Sequence, residues 1–273
     1  MSVDHDRSHA FRVKSGQSVD LTTIDPKDTS RVGNGDEAKA FLAKAVEAIN
    51  VMQDRLYAEN KRSLLIVLQG MDTSGKDGTV RGVFNATGPM GVTVTPFRQP
   101  SGDEIQHDFL WRAHLAAPKK GTIAIFNRSH YEDVLVAKVH KLAASSDIER
   151  RYDQINGFEK MLVENGTIIL KFMLHISKGE QGLRLQERLD HADKHWKFQP
   201  ADLEDRHNWK EFMKAYEVML ERCSTSSAPW HVIPSDHKWA RNAVIAGIVH
   251  ETLVEMDPKY PKPAWKPSDF VID

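Results

Sequence analysis

The chain has one cysteine in 273 residues, Cys223. That excludes an internal disulfide framework and fits a reducing compartment. No stretch approaches the roughly 20 consecutive apolar residues of a membrane-spanning helix. The opening residues, MSVDHDRSHAFRV, contain no apolar core of a secretory signal, so the cytoplasm is the expected location. There is no excess of either charge: 37 Lys and Arg stand against 38 Asp and Glu, a formal net charge of −1. A globally basic nucleic-acid binder or a membrane-surface protein is thereby excluded, and any site for a polyanion must be local. Internal repeats and a composition break that would divide the chain are also missing. What remains is 40% hydrophobic and 27% charged, an ordinary globular balance with enough length for a sizeable core.

Residues 1–36 are polar and interrupted by Gly16, Pro26, Gly33 and Gly35, and read as an extended arm over the surface or onto a partner subunit. From 37 to 60 apolar residues recur at 41, 42, 45, 46, 49 and 52, the spacing of a helix. SLLIVLQ then reads as a buried strand. The pattern continues as a helix after Lys76, the short strand VTVTPF, a helix near 103–116 and the strand GTIAIFN. After these come a helix following His130, a long helix across 147–165 and the strand GTIILKFMLHI. Polar helices near 178–192 and 201–223, the strand WHVIPS and a helix at 238–256 follow, before a proline-rich tail. Strands alternating with helices predict a parallel sheet covered on both faces, an αβα sandwich. Residues 37–273 are read as one such domain, with a helical insertion at about 178–215.

The first strand runs into Gly70-Met-Asp-Thr-Ser-Gly75-Lys76, which fits G-x-x-x-x-G-K between strand and helix. Glycines let backbone N–H groups turn inward around an anion, and the following helix N-terminus adds a favourable dipole. Lys76 is the cation for a transferred phosphate. Phosphate loops of this spelling place Ser or Thr after the lysine to hold magnesium; here the residue is Asp77. Hard cations prefer carboxylates, so Asp72 inside the loop is the expected ligand. Asp77 is either a second ligand or a cap for the helix.

The strand GTIAIFN ends in Asn127 where an acid near the metal is usual. Arg128 follows and can reach a phosphate with its planar fork. Glu132 and Asp133 lie about a helical turn further on, and either can replace the absent carboxylate. Arg98 follows the short second strand, at the carboxyl edge of the sheet where ligands bind; Arg112 accompanies it. In 175–209, Arg184, Arg188, His191 and His195 fall on one face of an expected helix, with Lys178 beside them and Lys194 and Lys197 near its end. Interleaved acids would make this a solvated face, but next to a phosphate loop it reads as a lid that closes over phosphates. Trp196 and Trp209 read as packing residues.

GMDTSGKDGTV, FRQPSGDEIQHDFLWR, FNRSHYEDVLV and HISKGEQGLRLQERLDHADKHWKFQPADLE, in that order, resemble the polyphosphate kinase 2 family over about residues 40–250. The DTSGKDG and SHYEDV spellings resemble its class III branch. The resemblance implies a P-loop kinase core with a helical lid. It also implies transfer of the terminal phosphate of inorganic polyphosphate to AMP and ADP, reversibly and with magnesium (or manganese in its place). Lys76, Asp72 and Arg128 match the family's essential residues, and Arg184 and Arg188 its lid arginines. Around them the implied phosphate-binding set is Gly70, Thr73, Ser74, Gly75, Asp77, Gly78, Arg81 and Lys194. The implied nucleotide set is Arg98, Arg112, Asn127, Arg128, Tyr131 and Glu132. The family often has aspartate where this chain has Asn127, so Asp133 is expected as the second metal ligand beside Asp72. A dimer or tetramer is implied. The rival reading is an ATP-dependent nucleoside monophosphate kinase like thymidylate kinase, which also has a P-loop and an arginine lid; Asp77 and Asn127 tell against it. A third is a non-catalytic polyphosphate or nucleotide sensor.

Overall fold

The computed structural model describes residues 7–272; residues 1–6 of the expected arm lie outside them. In chain order the regular elements are α1 (Arg7–Phe11), α2 (Gly35–Glu59), β1 (Ser63–Gln69), α3 (Lys76–Val83), β2 (Val92–Pro96), α4 (Trp111–Ala116) and β3 (Ile123–Asn127). They continue as α5 (Val136–Val139), α6 (Ser145–Glu164), β4 (Thr167–His175), α7 (Lys178–Asp190), α8 (Ala201–His207), α9 (Trp209–Cys223), β5 (Trp230–Pro234) and α10 (Lys238–Met256).

The strands form one parallel sheet in the order β2-β3-β1-β4-β5. β1 is central and buried along its whole length, which is why its sequence shows no alternation. Alternate residues nevertheless serve two cores. Leu65 and Val67 face a layer with Phe126, Tyr152, Phe212 and Trp230, covered by α5, α6 and α9. Leu64, Ile66 and Leu68 face a layer with Ile49, Val244 and Ile248, covered by α2, α3 and α10. Each such side chain contributes roughly 1.5–3 kcal/mol on burial, so this strand is a firm base from which to launch a loop. The start of α2 is fixed locally: the Asn34 side chain accepts from the N–H groups of Asp36 and Glu37, and Glu37 accepts from the Asn34 N–H.

From β1 the chain crosses to the edge strand β2, returns to β3, and then passes to the other side of β1 as β4. That reversal places the switch point at the carboxyl end of β1, the position at which open α/β sheets bind ligands. Leu68 pairs with Asn127 in the β1–β3 register. The residues after Gln69 therefore emerge beside Arg128.

The segment leading into α2 packs on its own chain. Val13 N–H donates to the Trp230 carbonyl at 2.8 Å, and Arg12 bridges His231 antiparallel, covering the free edge of β5. Three expected helices break where local bonds compete with the helix. The 103–116 segment divides into a 3-10 turn (Gly102–Gln106) and α4, because the Asp108 carboxylate accepts from Leu110 N–H and starts a new turn. The 201–223 segment divides at Asn208 into α8 and α9. The helix from 178 ends at Asp190, and His191 is extended. Arg184 and Arg188 share a helix, but His191 and His195 do not continue its face. The chain folds back there, with Lys194 on Glu187 at 2.6 Å and His195 Nε2 on the Leu189 carbonyl at 2.9 Å.

Candidate active site

The loop 70–75 turns sharply at both ends. Gly70 has φ 146° and Gly75 φ 109°, conformations that a side chain resists. A Cβ on Gly70 would stand 2.7 Å from the Leu174 carbonyl, and one on Gly75 would stand 1.7 Å from the Arg241 guanidinium. Two residues that do carry side chains also sit in the left-handed region, Thr73 (φ 63°) and Arg128 (φ 61°). Such strain is tolerated where the surroundings over-determine it, and it clusters at functional sites. Gly75 is the N-cap of α3, so Asp77 does not cap that helix; its carboxylate accepts from Asn127 Nδ2 at 2.6 Å.

The carbonyls of the loop are held by cations. Lys76 Nζ donates to Gly70 O at 2.7 Å and Met71 O at 3.3 Å. Arg184 Nη1 donates to Thr73 O at 2.9 Å. Burial, with Arg128 as a second and smaller cause, pushes the Lys76 ammonium down to about 8. Arg128 spans two acids: Nη2 donates to Asp72 Oδ1 at 2.5 Å, and Nη1 lies 3.6 Å from Glu132 Oε2. Burial works to raise the Asp72 carboxyl, but Arg128, Lys76 and Arg188 together outweigh it and hold the group below its usual value. Glu132 is displaced the other way, burial prevailing over Arg128. Asp72, Arg128 and Glu132 line one pocket with Gly70, Asp205 and Tyr216. Asp202 stands at its border, bonded to Arg188 Nη1 at 2.9 Å and pushed up to about 6 by burial and then by the Asp72 charge. Around the loop three buried hydroxyls, of Thr73, Ser74 and Thr79, have no hydrogen-bond partner among the described residues. The arrangement concentrates fixed cations and ready donors on a turn of backbone, which is what a phosphate group requires.

A model of the polyphosphate kinase 2 family matches residues 33–261. This chain belongs to that family. An AMP/ADP-polyphosphate phosphotransferase of Meiothermus ruber is 46% identical over 265 residues, which are 96% of this chain and 99% of that protein. An ADP-polyphosphate phosphotransferase of Rhodopseudomonas palustris is 38% identical over 94% of this chain and 93% of its own. The crystal structure of polyphosphate kinase 2 from Arthrobacter aurescens superposes with a TM-score of 0.92 at 40% identity, covering 96% of this chain and 94% of that one.

Not every residue expected in the family's site reaches the pocket. Tyr131 points into the core, its hydroxyl bonded to Glu159 at 2.7 Å and to Lys171 at 2.8 Å. It is fully buried and offers nothing to a nucleotide from there. Asp133 does not line the pocket with Asp72: Arg112 lies 3.6 Å and Arg151 3.8 Å from its carboxylate, on the far side of the 3-10 turn His130–Asp133. Glu132, one residue earlier on that turn, is the acid that faces Asp72. Arg112 also donates to the Arg98 carbonyl at 2.6 Å, and the Arg98 side chain is exposed. Arg81, in the last turn of α3, lines a separate cleft with Phe84, Asn85, Val92 and Val94. Gly78 is exposed at the start of α3. Arg184 is buried and fully engaged, donating to Glu180 Oε1, Thr73 O, Ser235 O and Asp236 O at 2.7–2.9 Å. It fastens α7 and the β5–α10 turn to the loop.

Asp202, Asp205 and Arg241 escaped the sequence reading. The acids lie in a polar stretch, ADLEDR, where nothing distinguishes them from a solvated face. Arg241 did carry a signal: it stands two residues before the apolar run AVIAGIV, on a helix whose face is otherwise apolar from there on.

Proposed function

We propose that this chain transfers the terminal phosphoryl group of inorganic polyphosphate to AMP and to ADP, making ADP and ATP. The observation that carries the reading is the fork of Arg128, held between the loop acid Asp72 and Glu132 immediately beside Lys76. The near full-length relatives named for AMP/ADP- and ADP-polyphosphate phosphotransfer supply the substrate class. An oxygen of the nucleotide's terminal phosphate attacks the last phosphorus of the chain, and the bond to the rest of the chain breaks. The shortened polyphosphate leaves with the electron pair. The attacking oxygen is already ionised at neutral pH, so no general base is needed, and the same geometry serves the reverse transfer. Both substrates are anionic; positioning and charge neutralisation are therefore the work of the protein. Lys76 and Arg128 meet the transferred group, the N–H groups of the loop hold the chain behind it, and Arg188 and Lys194 extend the cationic track.

Magnesium fits this donor set, with manganese as a substitute. Among the described residues no three Asp, Glu, His or Cys side chains are arranged to hold a metal ion. Magnesium is commonly held by one or two carboxylates, substrate phosphates and water. Asp72 presents one carboxylate oxygen beyond the one bound to Arg128, and Glu132 and Asp205 are the other acids on the pocket. When bound there the ion would neutralise phosphate charge. The rest of the expected picture, a cytoplasmic homo-oligomer of two or four chains, belongs to the same proposal; among the described residues no helix is long and apolar enough to cross a membrane.

The test supplies purified protein with long-chain polyphosphate, magnesium, and either AMP or ADP, and resolves the nucleotides by chromatography. ADP from AMP and ATP from ADP are the expected products. Product from one acceptor only would remove the dual specificity. Activity with ATP and a monophosphate, but none with polyphosphate, would replace polyphosphate by ATP as the donor and overturn the proposed function.

A further inference from the structure

Among the described residues with under 2% of their surface exposed, Arg241 is second in size only to Trp230, and only 1% of it is exposed. It stands in the first turn of α10 and reaches beneath the phosphate loop. Its Nη1 donates to the Ser74 carbonyl at 3.0 Å, while Nε and Nη2 share the side-chain oxygen of Asn242 at 3.1 and 2.9 Å. Gly75 and Gly78 leave room for it: a Cβ at either position would stand 1.7 or 3.1 Å from its nitrogens. Arg184 approaches the same Ser74 carbonyl at 3.4 Å, so two guanidinium groups converge there. Arg184 has Glu180 as a partner, whereas among the described residues no carboxylate pairs with Arg241. An arginine remains protonated in proteins, and a buried charge without a counter-charge is expensive.

The carbonyls of the loop explain the arrangement. A phosphate chain needs N–H groups facing it and carbonyl oxygens turned away. Lys76 draws Gly70 O and Met71 O, Arg184 draws Thr73 O, and Arg241 draws Ser74 O into the protein. We propose that Arg241 is a positioning residue for the phosphate loop: it turns the Ser74 carbonyl away from the substrate and places a fixed positive charge behind the loop, and the bound polyphosphate supplies the counter-charge it lacks. The inference rests on the polyphosphate reading of the site.

Equilibrium binding of long-chain polyphosphate and, separately, of ADP decides it, with magnesium present throughout. Arg241→Met is expected to bind polyphosphate at least tenfold more weakly, equivalent to about 1.4 kcal/mol, with ADP within threefold of the native value. Arg241→Lys, which restores the charge and one donor, is expected to return to within threefold for both ligands. Should Arg241→Met fail to fold, Arg241→Gln takes its place, keeping a donor for Ser74 O without the charge and with the same expected loss. Polyphosphate binding within twofold of native in the uncharged variant would overturn the inference. So would equal loss of both ligands with no recovery in Arg241→Lys, the pattern of a scaffold residue. No binding of polyphosphate by the native protein would instead remove the proposed function, and this role with it.

Discussion

Lys76 is the residue on which the phosphate chemistry turns, and its environment makes a sharp prediction. It is 8% exposed, and burial pushes its ammonium down to about 8. Below that pH the group is charged and attracts the chain; above it the charge is lost and the attraction with it. The KM for polyphosphate should accordingly climb between pH 7.5 and 9, while a KM that stays flat to pH 9.5 would mean that Lys76 keeps its proton. Lys76→Met should lower kcat by about 10²–10³, the usual loss when one preorganised charge is removed from a transition state; a change of less than fivefold would displace Lys76 from the chemistry. Asp72 separates two roles. Asp72→Asn should weaken activity and shift its magnesium dependence to higher concentration, and unchanged activity with an unchanged metal profile would leave Asp72 a structural partner of Arg128. These assignments were legible because Gly70, Asp72 and Lys76 lie within seven residues, and their meaning follows from a strand before and a helix after. The clamps on the same loop were not. Arg184 meets Thr73 across 111 residues of sequence, and Arg241 meets Ser74 across 167. No local pattern encodes a contact of that span.

At the scale of elements, the short turn His130–Asp133 is what aims Arg128 and Glu132, and it is held from behind. Lys171, the one charge within the apolar strand β4, donates to Glu159 of α6 at 2.5 Å, to the Tyr131 hydroxyl at 2.8 Å and to the Cys223 carbonyl of α9 at 2.7 Å. All four residues are buried. Removing one partner of a buried pair leaves the other uncompensated, and Lys171→Met should cost about 3–5 kcal/mol in urea unfolding. Lys171→Met with Glu159→Gln should recover at least about 1 kcal/mol of that loss, because the carboxylate left behind is then neutral. A double variant no more stable than the single would show that the cost comes from packing. Strand and helix positions were readable from apolar periodicity because a buried strand and an amphipathic helix each obey a simple repeat. Their breaks were not: the end of α7 at Asp190 and the split at Asn208 follow from folding back and side-chain bonding, which override helix propensity. The continuous basic face drawn through His195 failed for that reason.

Across the whole molecule the formal charge is nearly zero, yet the proposed substrate is a dense polyanion. The attraction must then come from a small set of fixed cations at one edge of the sheet, and most of those are already engaged. Arg128 holds Asp72 and Glu132, Arg188 holds Asp202, and Lys194 holds Glu187. Binding a phosphate chain exchanges these internal partners for phosphate oxygens, which makes the net gain modest and strongly dependent on ionic strength. With about two to three phosphates neutralised in this way, counterion release gives a slope near −2 in the logarithm of affinity against the logarithm of salt. Raising monovalent salt from about 50 to 200 mM should then increase the KM for polyphosphate by about tenfold or more. AMP brings a single phosphate, so its KM should change by no more than about threefold over the same range. Steady-state kinetics with each substrate varied in turn measures both slopes. Equal slopes would mean that the chain is not held along the loop and α7 but touches the protein only at its reacting end. Arg188 and Lys194 would then be partners of Asp202 and Glu187 and nothing more.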